Sequence, residues 1–192
     1  DVVPGAVYAV ARDEQLRELL READDLWARD RRASAFQLYA AAATLGDPHA
    51  LFVLGRCYLN GDVVKPDAAQ AVSLLTLAKD RGVAAAAGLL GACYAEGNAV
   101  QKNKARAIQL FEEAAALGDF WALERAANLK DQAGEPSTDE WRRLEQALIE
   151  FTRTRAHGHA NYLLGLIYLE GRVGKPDPNR AAMFFKVARD LG

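Results

Sequence analysis

The sequence predicts an all-α fold: an α/α superhelical solenoid of about five stacked helix pairs. Three observations carry that prediction. The first is a recurring stretch. Leu54-Gly55-Arg56-Cys57-Tyr58-Leu59-Asn60-Gly61 returns 36 residues on as Leu90-Gly91-Ala92-Cys93-Tyr94-Ala95-Glu96-Gly97. It returns again, 110 residues from the first, as Leu164-Gly165-Leu166-Ile167-Tyr168-Leu169-Glu170-Gly171. The 74 residues between the second and last of these leave room for one longer, degenerate copy. The second observation is that helix stop and start signals fall in phase with the repeat. The third is that small residues recur where two helices must cross closely: Ala71 and Ala78, then Ala107 and Ala114, then Ala181 and Ala188.

The elements follow in chain order. Residues 1–12 show no helical period, and Pro4-Gly5 reads as a turn, so this stretch is expected to be a linker or extended tail. Residues 13–48 read as a leading helix pair. Its first helix, about Asp13 to Arg29, sets Leu16, Leu19, Leu20, Ala23, Leu26 and Trp27 on one face at 3.6 spacing. Its second, about Ala33 to Leu45, aligns Ala35, Tyr39 and Ala42 with Ala71, Leu75 and Ala78. The short connector of this pair is more like that of a tetratricopeptide unit.

Residues 49–192 form the repeat array, in copies 49–84, 85–120, 121–158 and 159–192. In the first full copy, helix A spans about His49 to Asn60. Gly55 lets a neighbouring helix approach, and Gly61 is placed to end the helix in the left-handed region. Pro66 stops any continuation. Asp67 then caps helix B, with Gln70 three residues on completing a capping box. Asn103 and Asp177 hold the same cap position, and Pro178 follows at the first helical residue, where its missing N–H costs nothing. Helix B ends near Gly82, with Gly118 and Gly192 as counterparts.

The copy 121–158 departs from the pattern. Ala122 keeps register, but Leu-Gly becomes Ala126-Ala127 and the tyrosine becomes Lys130. Asp131 to Pro136 read as a reshaped connector. Ser137 with Glu140 reads as a capping box that opens a helix reaching about Arg155.

The quoted residues resemble the Sel1-like repeat family: Ala-x3-Leu-Gly-x2-Tyr-x2-Gly, a connector, then Asp/Asn-x3-Ala-x6-Ala-x3-Gly. The resemblance covers roughly residues 33–192, with three good copies, one poor copy and a leading half-copy. It implies right-handed α-solenoids that act as adaptors in bacterial and eukaryotic assemblies. Members occur in the cytosol, the periplasm and the endoplasmic reticulum, so the compartment stays open. It implies no shared catalytic residues.

Composition narrows the function classes. The 192 residues are 51% hydrophobic, enough for a substantial core, and the net charge of −2 gives no reason to expect nucleic acid or an anionic membrane as partner. No apolar run reaches the roughly 20 residues that span a bilayer, so no membrane insertion is expected. The start at Asp1 reads as that of an excised segment, from which a signal peptide would be missing. Cys57 and Cys93 occupy equivalent positions in adjacent copies, on helices stacked on the order of 10 Å apart. A disulfide needs Cα atoms within roughly 7 Å, so both are expected as free core thiols.

Catalytic chemistry finds little support. His157-Gly158-His159 is the one histidine cluster, and His49 lies three copies away, so three converging zinc ligands are not expected. Each repeat glycine follows a helix instead of preceding one, which does not suit a phosphate loop. Glu112-Glu113 and Asp24-Asp25 are adjacent on helices and point apart. The expectation is no enzyme, no cofactor and no metal.

What remains is surface. If helices A line a concave face, one row per copy faces the groove: His49, Phe52, Arg56 and Asn60; Ala85, Gly88, Ala92 and Glu96; Trp121, Glu124 and Asn128; His159, Tyr162, Leu166 and Glu170. The nearly bare second row between Phe52 and Trp121 suggests a trough with aromatic walls, suited to a protein or peptide partner. The other reading of Phe52 and Trp121 is that they pack inside the array. The functional expectation is a scaffold or adaptor. An inhibitor or immunity-type protein that caps an enzyme, and a glycan or small-molecule binder, stay open beside it. Phe184, Phe185, Val187 and Leu191 on the last helix predict an open apolar end that contacts another copy (self-association), a further domain of the parent or a bound protein.

Overall fold

In the computed structural model the described residues are 4–191, with side chains from Arg12 onward. They form helices and connecting turns, with no strand among them. Two compact units divide the chain, one up to Asn103 and one from Lys104, so the division falls between the two helices of the second full copy.

The first unit holds α1 (Pro4–Ala28), α2 (Arg32–Thr44), α3 (Pro48–Asn60), α4 (Ala68–Asp80) and α5 (Ala84–Glu96), each packed on the next. The stretch expected as a linker is helical from Pro4: proline is tolerated in a first turn, and no breaker follows Gly5 before the apolar stripe begins. Residues 1–3 of that expected tail, and the expected helix end at Gly192, lie outside the described residues. The register holds in the core. Ala35, Tyr39 and Ala42 on α2, and Ala71, Leu75 and Ala78 on α4, are all buried. Ala23 of α1 joins α2 and α3 in the core, with Leu16, Leu20, Leu26 and Trp27 packed around it.

Helix ends follow from local chemistry. Asp47 accepts from the Ala50 N–H at 2.7 Å and Asp67 from the Gln70 N–H at 2.9 Å, so each satisfies an otherwise orphaned donor. Gly61, Gly97 and Gly171 sit at φ of 75°, 79° and 66°, where a side chain would be strained. Gly55 lies under Leu75: a Cβ built on it would stand 2.8 Å from Leu75 Cγ, and only glycine allows that helix crossing. Cys57 and Cys93 are buried free thiols.

The second unit holds α6 (Lys104–Ala116), α7 (Ala122–Ala133), α8 (Thr138–Thr154), α9 (Gly158–Glu170) and α10 (Pro178–Leu191), again packed in sequence. Its core gathers Leu123, Leu144, Leu148, Leu163, Leu164 and Ile167, with Phe184 and Phe185 half-buried against it. Met183, Val187 and Leu191 on α10 are exposed.

The degenerate copy differs from its sequence reading in two ways. Asp131, Gln132 and Ala133 are helical, because the terminating glycine has moved to Gly134, at φ 72°. Ser137 and Glu140 do not form a capping box. Ser137 Oγ donates instead to Asp131, and Glu140 accepts from Lys130 at 2.7 Å. Lys130 also reaches Glu112 at 2.8 Å, so the lysine in the tyrosine position ties α6, α7 and α8 together. Asp131 further accepts from Trp141 Nε1 at 3.2 Å and pairs with Arg172, whose guanidinium stacks 4.9 Å over the Trp141 ring. The departures from the repeat pattern are thus matched to one another.

Candidate functional site

In the first unit, α3 brings three of the expected surface residues together. His49 is exposed, and its ring lies 6.2 Å from Tyr39 and 6.5 Å from Phe52. Arg56 lies between two rings, 5.8 Å from Phe52 and 5.5 Å from Trp27. Arg32 stacks on Trp27 at 5.6 Å. Such contacts contribute about 0.5–1 kcal/mol each at exposed sites and hold the long arginine chains in place. Below them, the Tyr39 hydroxyl donates to Asp24 at 2.5 Å; burial, then that bond, pushes the Tyr39 phenol well above the ordinary tyrosine range. Asn60 is exposed and donates to Asp62 at 3.3 Å. On α5, Ala85 and Glu96 are exposed and Ala92 is half-buried. Gly88 is buried, so it is not the open trough floor expected of it: α5 is packed on most of its circumference.

In the second unit, Trp121 stands half-buried at the N-cap of α7. Its indole stacks on His159 at 5.6 Å and touches Phe120, Phe151 and His157. Glu124 and Asn128 are half-buried further along α7, and so is Leu166 on α9. Exposed Glu170 accepts from Arg172 Nε at 2.6 Å. His157 caps α9, its Nδ1 accepting from the Ala160 N–H at 3.3 Å. Tyr162 is 48% exposed. With His159, Phe185 and Ala188 it lines a mostly apolar cavity of about 580 Å³. The Tyr168 phenol, pushed up to about 12 by burial and then by its bond to Glu145, belongs to the core and not to this surface.

Each unit therefore carries an aromatic patch on A-helix positions. The sequence reading missed the residues that hold these patches: Trp27 and Arg32 in the first, Phe151 and His157 in the second. They lie outside the helix-A rows, so a register argument confined to those rows does not reach them. Among the described residues no group of three or more His, Cys, Asp or Glu could hold a metal, and no helix is long and apolar enough to cross a membrane.

The Sel1 repeat model matches residues 28–47, 48–83, 84–119 and 158–192. The chain belongs to the Sel1 repeat family. The unmatched stretch between 119 and 158 is the degenerate copy. Among solved structures, the chain is similar to a Sel1 repeat protein from Oxalobacter formigenes, with 26% identity and a TM-score of 0.67. That match covers 84% of this chain and 65% of the other, so this chain spans just under two thirds of that relative. A protective antigen of uropathogenic Escherichia coli with an SLR fold matches over 96% of this chain and 47% of its own, at 20% identity and a TM-score of 0.62. Immunity protein Pa5087 from Pseudomonas aeruginosa matches over 92% and 66%, at 21% identity and a TM-score of 0.54. The last two show a shared fold. No curated protein matches the sequence. Sel1 repeat proteins generally mediate protein–protein interactions, and the Sel1 repeat is typically a non-catalytic scaffold.

Proposed function

We propose that this Sel1 repeat chain is a protein-interaction scaffold that binds a partner protein or peptide through its A-helix surfaces. The observation that supports the reading best is the arrangement of Phe52. Its ring lies between His49 and Arg56, and Arg56 is in turn stacked on Trp27. A half-buried aromatic group held in this way loses little side-chain freedom on binding, which suits an interface anchor. Trp121, stacked on His159, offers the same kind of anchor in the second unit.

The test is crosslinking of the tagged chain in a lysate of its source organism, with partners identified by mass spectrometry. Phe52→Ala and Trp121→Ala should each weaken the recovered partner by about 2 kcal/mol, the usual cost of truncating an anchor. Helical circular dichroism should stay at the wild-type level. Recovery undiminished in both folded variants would overturn the reading.

A further inference from the structure

The family pattern is interrupted between 119 and 158, and the B helix in that gap is long: α8 has 17 residues, where α4 and α6 have 13. The end of α8 carries Arg153 and leads into Arg155, and it stands beside α10. A cleft of about 470 Å³ opens there, between the end of α8, the first turn of α9 and the last turns of α10.

Three features of this cleft point to one kind of occupant. Its apolar wall is Ile149, Val187 and Leu191, exposed by 40%, 45% and 42%. Among the described residues eight large hydrophobics are this exposed, so three in one cleft are a concentration and not scatter. Its charged lining is cationic: Arg153 and Arg155 line it, and among the described residues no carboxylate does. Glu150 reaches Arg153 at 2.8 Å, but both side chains are more than 60% exposed, and such a pair is exchanged at little cost. Among the described residues Arg155 has no carboxylate partner; it rests 5.7 Å over the Phe151 ring. Finally, Asn161 lines the cleft although it is only 5% exposed. Its amide nitrogen donates to the His157 carbonyl at 3.0 Å, which leaves Oδ1 without a donor among the described residues. Among the described residues no buried side-chain polar atom lacks a partner, so Oδ1 is open to the cleft, where a ligand N–H can bond it.

We propose that this cleft docks an acidic segment of a partner protein. An aliphatic side chain of the segment packs on Ile149, Val187 and Leu191. A flanking carboxylate pairs with Arg153 or Arg155, whose planar guanidinium can take it through two hydrogen bonds. A backbone N–H of the segment donates to Asn161. The inference rests on the reading of the chain as a protein-binding scaffold and assigns a second contact surface to it.

The test uses the whole chain and short fluorescent peptides: one leucine flanked by aspartates and glutamates, the same peptide with serine for leucine, and one with lysines for the carboxylates. The acidic leucine peptide should bind by anisotropy, and the other two about tenfold more weakly. Val187→Asp and Arg155→Glu should each lower its affinity about tenfold, with Arg155→Gln between Arg155→Glu and wild type. Binding should weaken with salt and shift the Asn161 side-chain amide resonance. Equal binding of the lysine peptide, affinity unmoved by Arg155→Glu in a folded protein, or concentration-dependent dimerisation abolished by Val187→Asp without peptide binding would each overturn the proposal. Phe52→Ala, which tests the A-helix surface, should leave peptide binding unchanged, so the two readings fail separately.

Discussion

The Asp177 backbone N–H donates to the Tyr168 carbonyl at 2.8 Å, and the equivalent bonds join Asp67 to Tyr58 and Asn103 to Tyr94, at 3.0 and 2.8 Å. In these three copies the cap of helix B is thus hung on the last turns of helix A. The same aspartates also cap through their side chains: Asp177 accepts from the Arg180 N–H and Asp67 from the Gln70 N–H, both at 2.9 Å. Asp67→Ala and Asp177→Ala should each cost about 1 kcal/mol, measured as a lower urea midpoint with unchanged slope. Asparagine at either position should restore most of the loss.

Gly55 gives a sharper test of the helix crossing. An alanine methyl would stand 2.8 Å from Leu75 Cγ and 3.3 Å from the Ala71 carbonyl oxygen. Gly55→Ala should destabilise by about 1–3 kcal/mol, the usual cost of overpacking. Leu75→Ala alone should also destabilise, by about 2–5 kcal/mol, because Leu75 is fully buried. The double variant should lose less than the sum, since one change makes room for the other.

Lys130 should report on alkaline pH. Its bonds to Glu112 and then Glu140 hold its ammonium above the ordinary lysine range. The charged form is favoured by folding, so this contribution is complete below about pH 10.4 and is lost as pH rises through the folded value. Lys130→Met leaves two carboxylates facing each other, with Glu140 only 9% exposed. It should destabilise by about 2 kcal/mol at neutral pH, a figure reduced from the fully buried case because Glu112 is 37% exposed. It should also remove the alkaline step from the stability profile. An alkaline step of the same size in the variant would show that Lys130 is not its source.

Cys57 and Cys93 should react slowly with a thiol reagent in the native protein and fully after denaturation. Burial is the main force that pushes both thiols up, and thiolate is the reactive form. Rapid native labelling of either would contradict its burial at 1% and 2% exposure.

The helix pairs were legible in the sequence because the same signals recur at fixed spacing. Gly61, Gly97 and Gly171 are needed for positive φ, and Asp67 and Asp177 for caps, so each constraint names its own residue. The departures were read less well. Ser137 and Glu140 fit a capping box by spacing, but Asp131 and Lys130 offered stronger charged partners, and these lie six and ten residues upstream. Pro4 read as a breaker although a first-turn proline starts a helix as readily as it stops one. For the surface, the period located His49, Phe52 and Arg56 on α3, but it put buried Gly88 in the open. An alanine-rich helix such as α5 has little contrast between its faces, so periodicity does not choose which one is packed.

Lys130 reaches from α7 to Glu112 on α6 and Glu140 on α8, and Asp131 of α7 is paired with Arg172, beyond the end of α9. Stacked repeats ordinarily melt from their ends, because each unit is coupled only to its neighbours. Here side-chain bonds join α7 to partners before and after it, so opening α7 alone must break them. The stretch from α6 to α9 is therefore expected to come apart in one cooperative step, while the start of α1 and the end of α10, outside these bonds, fray independently. The copy least faithful to the repeat becomes the clasp that makes its neighbours unfold together.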